Sequence, residues 1–228
     1  MALNIVGIVC ALASEARHLR STDGTLVVTT GMGPSAAAQG ARTLIKAGAK
    51  ALASWGMAGG LDPSLRAGAI LLPTEILGPD GRTHPCESGW RNRLAATIEA
   101  RSGRLLTSAR SVGSVEDKAE LFRTTRAVAV DMESAAVAEI AEQHELPFLA
   151  VRVIVDSAGD ALPRAVTAAA DNEGHLQIWR LMGALALAPN ELAPLIRLAQ
   201  RYRTANRSLA SIARTGSLAP SAFDTRPS

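Results

Sequence analysis

The chain reads as a succession of short apolar runs broken by polar turns and alanine-rich segments. Asn4 to Ala11 is a continuous apolar run, the pattern of a strand buried on both faces of a parallel sheet. Thr25 to Thr30, Ala51 to Trp55, Gly68 to Leu77, Leu105 to Ser108, Ala127 to Val130 and Phe148 to Val155 repeat it. Between them lie segments with helical spacing. One opens at Pro34, a residue suited to a first helical turn, and closes at Gly48. Others cover Trp90 to Ala100, Ser114 to Phe122 with Ser114 as N-cap, and the alanine-rich stretch from Ser134. A short helix after Ala13 is expected with Ser14 as its cap, and 78–89, GPDGRTHPCESG, reads as a loop or hairpin.

Strands alternating with helices predict an α/β protein, a three-layer α/β/α sandwich around a central mixed, mostly parallel sheet. The expected body is 1–188, with Leu162 to Leu187 mostly helical between interruptions at Gly174 and Gly183. An amphipathic helix over 189–214 follows, with apolar Leu195, Ile196, Ala199, Tyr202, Leu209 and Ile212 opposite Arg197, Arg201, Arg203, Arg207 and Arg214. It packs on the body, or its basic face touches a membrane surface. The polar, proline-bearing tail 215–228 is expected to be disordered.

Composition narrows the class. With 47% hydrophobic but only 3% aromatic residues, the core has to be aliphatic. The net charge of +3 carries no basic stripe with interleaved aromatics over the first 180 residues or so, which argues against a nucleic-acid partner. Cys10 and Cys86 fit a reducing compartment without a disulfide framework. His18, His84, His144 and His175 are scattered singly, so neither a metal nor another bound cofactor is expected. The apolar N-terminus lacks a basic lead and a cleavage site, and reads as the first strand of a cytoplasmic protein.

The candidate chemistry gathers where the strands end. In open α/β sheets, ligands bind at the carboxyl ends of the strands. That rim collects Glu15, the turn Gly31-Met32-Gly33, an expected glycine turn from Gly56 to Gly60, the acids Asp131 and Glu133, and Asp156. Acids and glycine turns on one rim suit a neutral, hydroxyl-rich small molecule, since carboxylates accept from sugar hydroxyls and an acid can protonate a leaving group. A carboxylate after a strand is also a common helix cap, a role that fits Asp131 best.

These residues carry a resemblance. The segment 130–160, VDMESAAVAEIAEQHELPFLAVRVIVDSAGD, resembles the signature of the superfamily of purine nucleoside phosphorylases and methylthioadenosine/adenosylhomocysteine nucleosidases. Gly7-Ile8-Val9 leading to Glu15, Gly31-Met32-Gly33, and Gly56-Met57-Ala58-Gly59-Gly60 resemble further marks of the family, in the same order. The resemblance implies cleavage of a purine N-glycosidic bond. It gives Glu133 the ribose hydroxyls, Met132 the sugar face, Asp156 the proton for purine N7, and Glu15 the attacking water. Gly33, Met57, Ala58 and Gly59 would line the substrate site, with Val112 and Gly113 beside the base. The chain departs from the nucleosidases at Met57 and Val155, where serine is usual, and at Asp131, where glutamate is common. Phosphate remains open as a co-substrate: Ala13-Ser14-Glu15 replaces the phosphorylases' Gly-Asp-Pro context, with Arg17 only nearby, and Arg152 reads as a buried partner for an acid.

A narrower resemblance, to the hopanoid-associated subgroup, rests on Trp55, the short loop DGRTHPCESGW and the Leu/Arg-rich segment from Leu181. It implies release of adenine from adenosylhopane, a lipid-linked nucleoside, with peripheral membrane contact through the C-terminal helix. Family membership also implies a homo-oligomer. The competing expectations are a methylthioadenosine/adenosylhomocysteine nucleosidase, a catalytically dead nucleoside-binding module on the same fold, and a peripheral membrane scaffold.

Overall fold

The computed structural model describes residues 5–19, 24–163, 192–215 and 218. The helix expected over Leu162 to Leu187 and the tail 215–228 therefore lie almost wholly outside the described residues. In chain order the elements are β1 (Val6–Cys10), α1 (Ala13–Ala16), β2 (Thr25–Thr29), α2 (Pro34–Lys46), β3 (Ala51–Gly60), β4 (Ile70–Leu71) and β5 (Glu75–Leu77). There follow β6 (Thr83–Pro85), α3 (Ser88–Ala95), β7 (Arg104–Thr107), α4 (Val115–Thr125), β8 (Ala127–Asp131), α5 (Ser134–Gln143), β9 (Phe148–Asp156) and α6 (Leu192–Arg214).

The strands form one mixed sheet in the order β2-β1-β3-β8-β7-β5-β6, with β9 paired to β3 and β4. Alternation along the strands divides the core. Leu52, Ala150 and Ile154 face α2 and α5, while Ala53, Leu149, Val151 and Val153 face Trp90 and Leu94 of α3 and Ala205, Leu209 and Ile212 of α6. Helices thus cover both faces, and alanine-rich α2 and α5 come close enough to touch each other.

Four expectations from sequence change here. The strand expected over Gly68 to Leu77 is two strands with Pro73 between them. Proline lacks the N–H a ladder needs, so β4 pairs antiparallel with β9 while β5 leaves to pair with β6 and β7. The glycine turn expected after Trp55 is absent, because β3 continues through Gly60, paired with β9 as far as Gly59, with a register shift after Ala58, and with β8 at Gly59 and Gly60. The helix expected over Trp90 to Ala100 starts and stops earlier, at Ser88 and Ala95. Its cap is Glu87, whose carboxylate accepts from Gly89 N–H at 2.9 Å and also from Trp90 N–H. Ser14 is not the cap of α1. Leu12 holds that position, and Ser14 lies inside the helix.

Candidate active site

The site is built on a gap in the edge of β3. β1 runs parallel to β3 and its pairing stops at Cys10 opposite Trp55. β8 approaches antiparallel and pairs only at Gly59 and Gly60. Since β9 occupies the other edge as far as Gly59, β1 and β8 share one edge and leave Gly56 to Ala58 open between their ends. The segments that follow the two strands deliver Glu15 and Glu133 to that gap.

Glu15 fills one side. One carboxylate oxygen accepts from Leu12 N–H and the other from Met57 N–H, each at 3.0 Å, and its carbonyl accepts from the indole N–H of Trp55 at 3.2 Å. Gly56 makes this approach feasible, because a Cβ there would sit 2.8 Å from the Glu15 carboxylate. Burial pushes the Glu15 carboxyl above the ordinary glutamate range, opposed by the Arg152 charge and the N–H donors.

Glu133 faces it from the turn after β8. Its carboxylate accepts from Gly33 N–H at 3.0 Å. Gly33 has φ 98°, a left-handed value that favours glycine, so the turn before α2 can aim that N–H at the acid. Burial and then the neighbouring Asp131 charge raise the Glu133 carboxyl.

Asp131 points the other way, beneath α5. It accepts from Thr107 Oγ1 at 2.7 Å, from Ser134 N–H at 3.2 Å, and from Arg152 Nε at 2.8 Å. Arg152 also donates to Ser54 Oγ at 2.6 Å and Ser134 Oγ at 2.9 Å. Asp131 is therefore both a partial cap for α5 and the counter-ion of a fully buried arginine.

Asp156, at the end of β9, is buried and bonded to Lys118 Nζ of α4. Burial raises its carboxyl, and the lysine charge pulls it partly back. The same ammonium donates to Ser157 O at 3.0 Å and Asp160 O at 2.8 Å. Sequence reasoning missed Lys118, although a signal existed. It falls at helical spacing among Val115, Leu121 and Phe122, a charge inside an apolar stripe. It missed Tyr202 and Arg201 for another reason: nothing local tells where α6 docks. Tyr202 borders the cavity and shares a 2.5 Å hydrogen bond with Ser14, next to Glu15, while Arg201 pairs with Asp160 at 2.6 Å.

These groups enclose a cavity of about 260 Å³. Glu15, Glu133 and Asp156 line it together with Met132, Met57, Ala58, Gly59 and Val112. Met32 lines it as well, as part of a largely apolar wall with Leu12, Val155 and Leu162. Gly33 and Gly113 do not line it. Gly33 acts through its N–H on Glu133, and the Gly113 carbonyl accepts from Leu162 N–H at 2.9 Å, fixing the residue that closes the wall. A niche of about 10 Å³ shares Ala11, Glu15, Met57 and Glu133 with the main cavity and is also bordered by Ser54 and Arg152. That is about the volume one water needs.

A mixed sheet clad by helices, with carboxylates converging on an apolar cavity at the strand ends, is the α/β architecture of the nucleoside phosphorylases and nucleosidases. The phosphorylase superfamily matches residues 18–188, and the chain belongs to that family of nucleoside phosphorylases and nucleosidases. Solved structures share the fold. The 5′-methylthioadenosine/S-adenosylhomocysteine nucleosidase of Neisseria meningitidis, in complex with methylthio-immucillin-A, is 20% identical with a TM-score of 0.70, over 95% of this chain and 98% of that one. The corresponding nucleosidase of Helicobacter pylori is 17% identical with a TM-score of 0.67, over 94% of this chain and 100% of that one. Futalosine hydrolase of Helicobacter pylori is 18% identical with a TM-score of 0.62, over 87% and 98%.

Proposed function

We propose that this protein hydrolyses the N-glycosidic bond of a purine nucleoside whose 5′-substituent is apolar. The observation that carries this reading is the water-sized niche bordered by Glu15, Glu133 and Arg152, which shares both glutamates with a cavity that Asp156 borders. In the proposed reaction, Glu133 accepts hydrogen bonds from the ribose hydroxyls. The C1′–N9 bond breaks, its electron pair moves into the purine, and Asp156 gives its proton to N7 so that the base leaves neutral. Water held in the niche attacks C1′, and its proton passes to Glu15. Developing positive charge on the sugar is favoured by the two carboxylates facing it.

Water fits better than phosphate as the nucleophile. An incoming phosphate dianion would meet Glu15 and Glu133; among the described residues Arg152 beside them is already bonded to Asp131, Ser54 and Ser134, and Arg110 borders the cavity from an exposed position. Arg17 is exposed and does not border the cavity.

The apolar wall supports a lipid-linked substrate such as adenosylhopane over a polar nucleoside. So does the start of α6, where Leu192 and Ile196 are 54% and 49% exposed beside Arg197, a composition suited to peripheral contact with a membrane surface. Among the described residues, no helix is long and apolar enough to cross a membrane. The test is product analysis with adenosylhopane and methylthioadenosine side by side, with and without phosphate. The expected result is adenine and a free sugar at a rate indifferent to phosphate, with adenosylhopane the better substrate. Formation of a sugar 1-phosphate, or a rate that requires phosphate, overturns hydrolysis. Efficient cleavage of methylthioadenosine with adenosylhopane ignored overturns the lipid assignment.

A further inference from the structure

Lys118 is wholly buried, and an ammonium has three protons to donate. All three find acceptors on one short segment: the Asp156 carboxylate, Ser157 O and Asp160 O. The segment is tied further by Ser157 N–H donating to the Asp160 carboxylate at 3.0 Å, and by Arg201 of α6 pairing with that same carboxylate at 2.6 Å. Nothing in the hydrolytic scheme above uses Lys118. Yet among the described residues its only carboxylate partner is the residue assigned as the acid.

Charge counting shows what the lysine does there. Among the described residues, the charged and titratable groups around Asp156 are Lys118 from α4, Asp160 from the segment after β9, and Arg201 from α6. Arg110 borders the cavity from the loop before α4, and Glu15 and Glu133 lie across it. With Asp156 protonated, the group of buried Lys118 and Asp156 with half-buried Arg201 and Asp160 carries one net positive charge. Once Asp156 has given up its proton, the group is neutral. Without Lys118 the same step would go from neutral to a buried, uncompensated negative charge, which a low-dielectric site resists.

We infer that Lys118 is the positioning residue that makes Asp156 an effective acid, holding its carboxyl group toward the cavity and neutralising the carboxylate formed as the proton passes to purine N7. This rests on the reading of Asp156 as the general acid. The proton comes from Asp156 itself. Lys118 keeps its own three protons throughout, and Asp156 is reprotonated from solvent after the base departs.

The experiment compares wild type, Lys118→Met, Lys118→Arg and Asp156→Asn as full chains, following adenine release from adenosylhopane and from methylthioadenosine against pH. Activity needs Asp156 protonated, so its titration sets the alkaline limb of kcat/KM. Removing the adjacent cation raises the Asp156 carboxyl and moves that limb to higher pH, by about one unit or more. At the same time kcat falls about 100-fold, the scale of one proton-transfer contribution, with KM little changed. Lys118→Arg keeps the charge but spreads it, so the limb moves part of the way and part of kcat returns. If melting shows Lys118→Met unfolded, Lys118→Arg decides alone. An alkaline limb that stays in place in the folded variant overturns the inference and leaves Lys118 a mere strut between α4 and the segment after β9. Failure of the underlying reading looks different: the wild type releases no base, or Asp156→Asn keeps both its rate and its alkaline limb.

Discussion

Gly56→Ala isolates the close approach on which the proposed nucleophile site depends. Gly56 lies inside β3 without a left-handed φ, so alanine suits its backbone and the added methyl group is the whole perturbation. That Cβ would sit 2.8 Å from Glu15 Oε1, 3.0 Å from Cδ and 3.1 Å from Oε2. Ordinary contacts between such atoms lie at about 3.5 Å or more, so the carboxylate must retreat by roughly 0.5 Å. It cannot do so for free, since both oxygens are held by backbone N–H groups at 3.0 Å. Weakening one such charge-assisted bond costs about 1.5–3 kcal/mol, offset by the ~0.5–1 kcal/mol that alanine regains over glycine in a strand. The fold should therefore lose no more than about 2.5 kcal/mol. Turnover should fall by about 100-fold, because a shift of this size in a catalytic group spoils the geometry of attack. The assay is adenine release at saturating substrate beside a urea unfolding curve. Near-normal turnover in the folded variant would refute the placement of Glu15 as the residue that activates water.

Three further outcomes follow from the same geometry. Arg152→Met strands the Asp131 carboxylate in the core and should cost about 3–5 kcal/mol in chemical denaturation; a loss below about 1 kcal/mol would mean that Asp131 is not held as an ion. Glu133→Gln should trade activity for stability. Because burial raises the Glu133 carboxyl, the stability it contributes is complete below the unfolded value and is lost as pH rises through the folded one. The neutral amide avoids that loss, so the variant should be more stable than wild type at pH 8, by about 1.4 kcal/mol per unit of displacement, and no more stable at about pH 4. Urea unfolding at both pH values checks the sign, and a variant less stable at pH 8 contradicts it. Asp156→Asn leaves the buried Lys118 ammonium with only its two carbonyl acceptors and should cost stability on the scale of Arg152→Met, about 3–5 kcal/mol, while turnover of the folded protein drops by about 100-fold or more.

Much of this molecule was legible along the chain because buried strands write themselves as apolar runs. The runs led to β1, β2, β7, β8 and β9 with ends displaced by one or two residues, and the sequence order put Glu15, Glu133 and Asp156 at strand ends. What could not be read were features set by partners distant in sequence. Gly56 to Gly60 carry the composition of a turn, yet they form strand because β9 pairs with them as far as Gly59 and β8 at Gly59 and Gly60, and Gly56 leaves the space that Glu15 occupies. β4 and β5 look like one run until Pro73 and the competing partners β9 and β7 pull them apart. Lys118 was visible as a charge in an apolar stripe, but its acceptors lie 38 residues and more away. Tyr202 and Arg201 belong to a helix whose periodicity reports an apolar face but not the surface it covers, and that surface is the one beside Glu15 and Asp160.

The central claim is that Asp156 drives departure of a purine from its sugar. The most direct measurement is base release from methylthioadenosine and adenosylhopane by wild type and Asp156→Asn under identical conditions, with the base quantified by chromatography. Wild type should release adenine and sugar in equal amounts, and the asparagine variant should do so about 100-fold more slowly or worse. An Asp156→Asn variant that releases adenine at the wild-type rate, or a wild type that releases none from either nucleoside, would contradict the account.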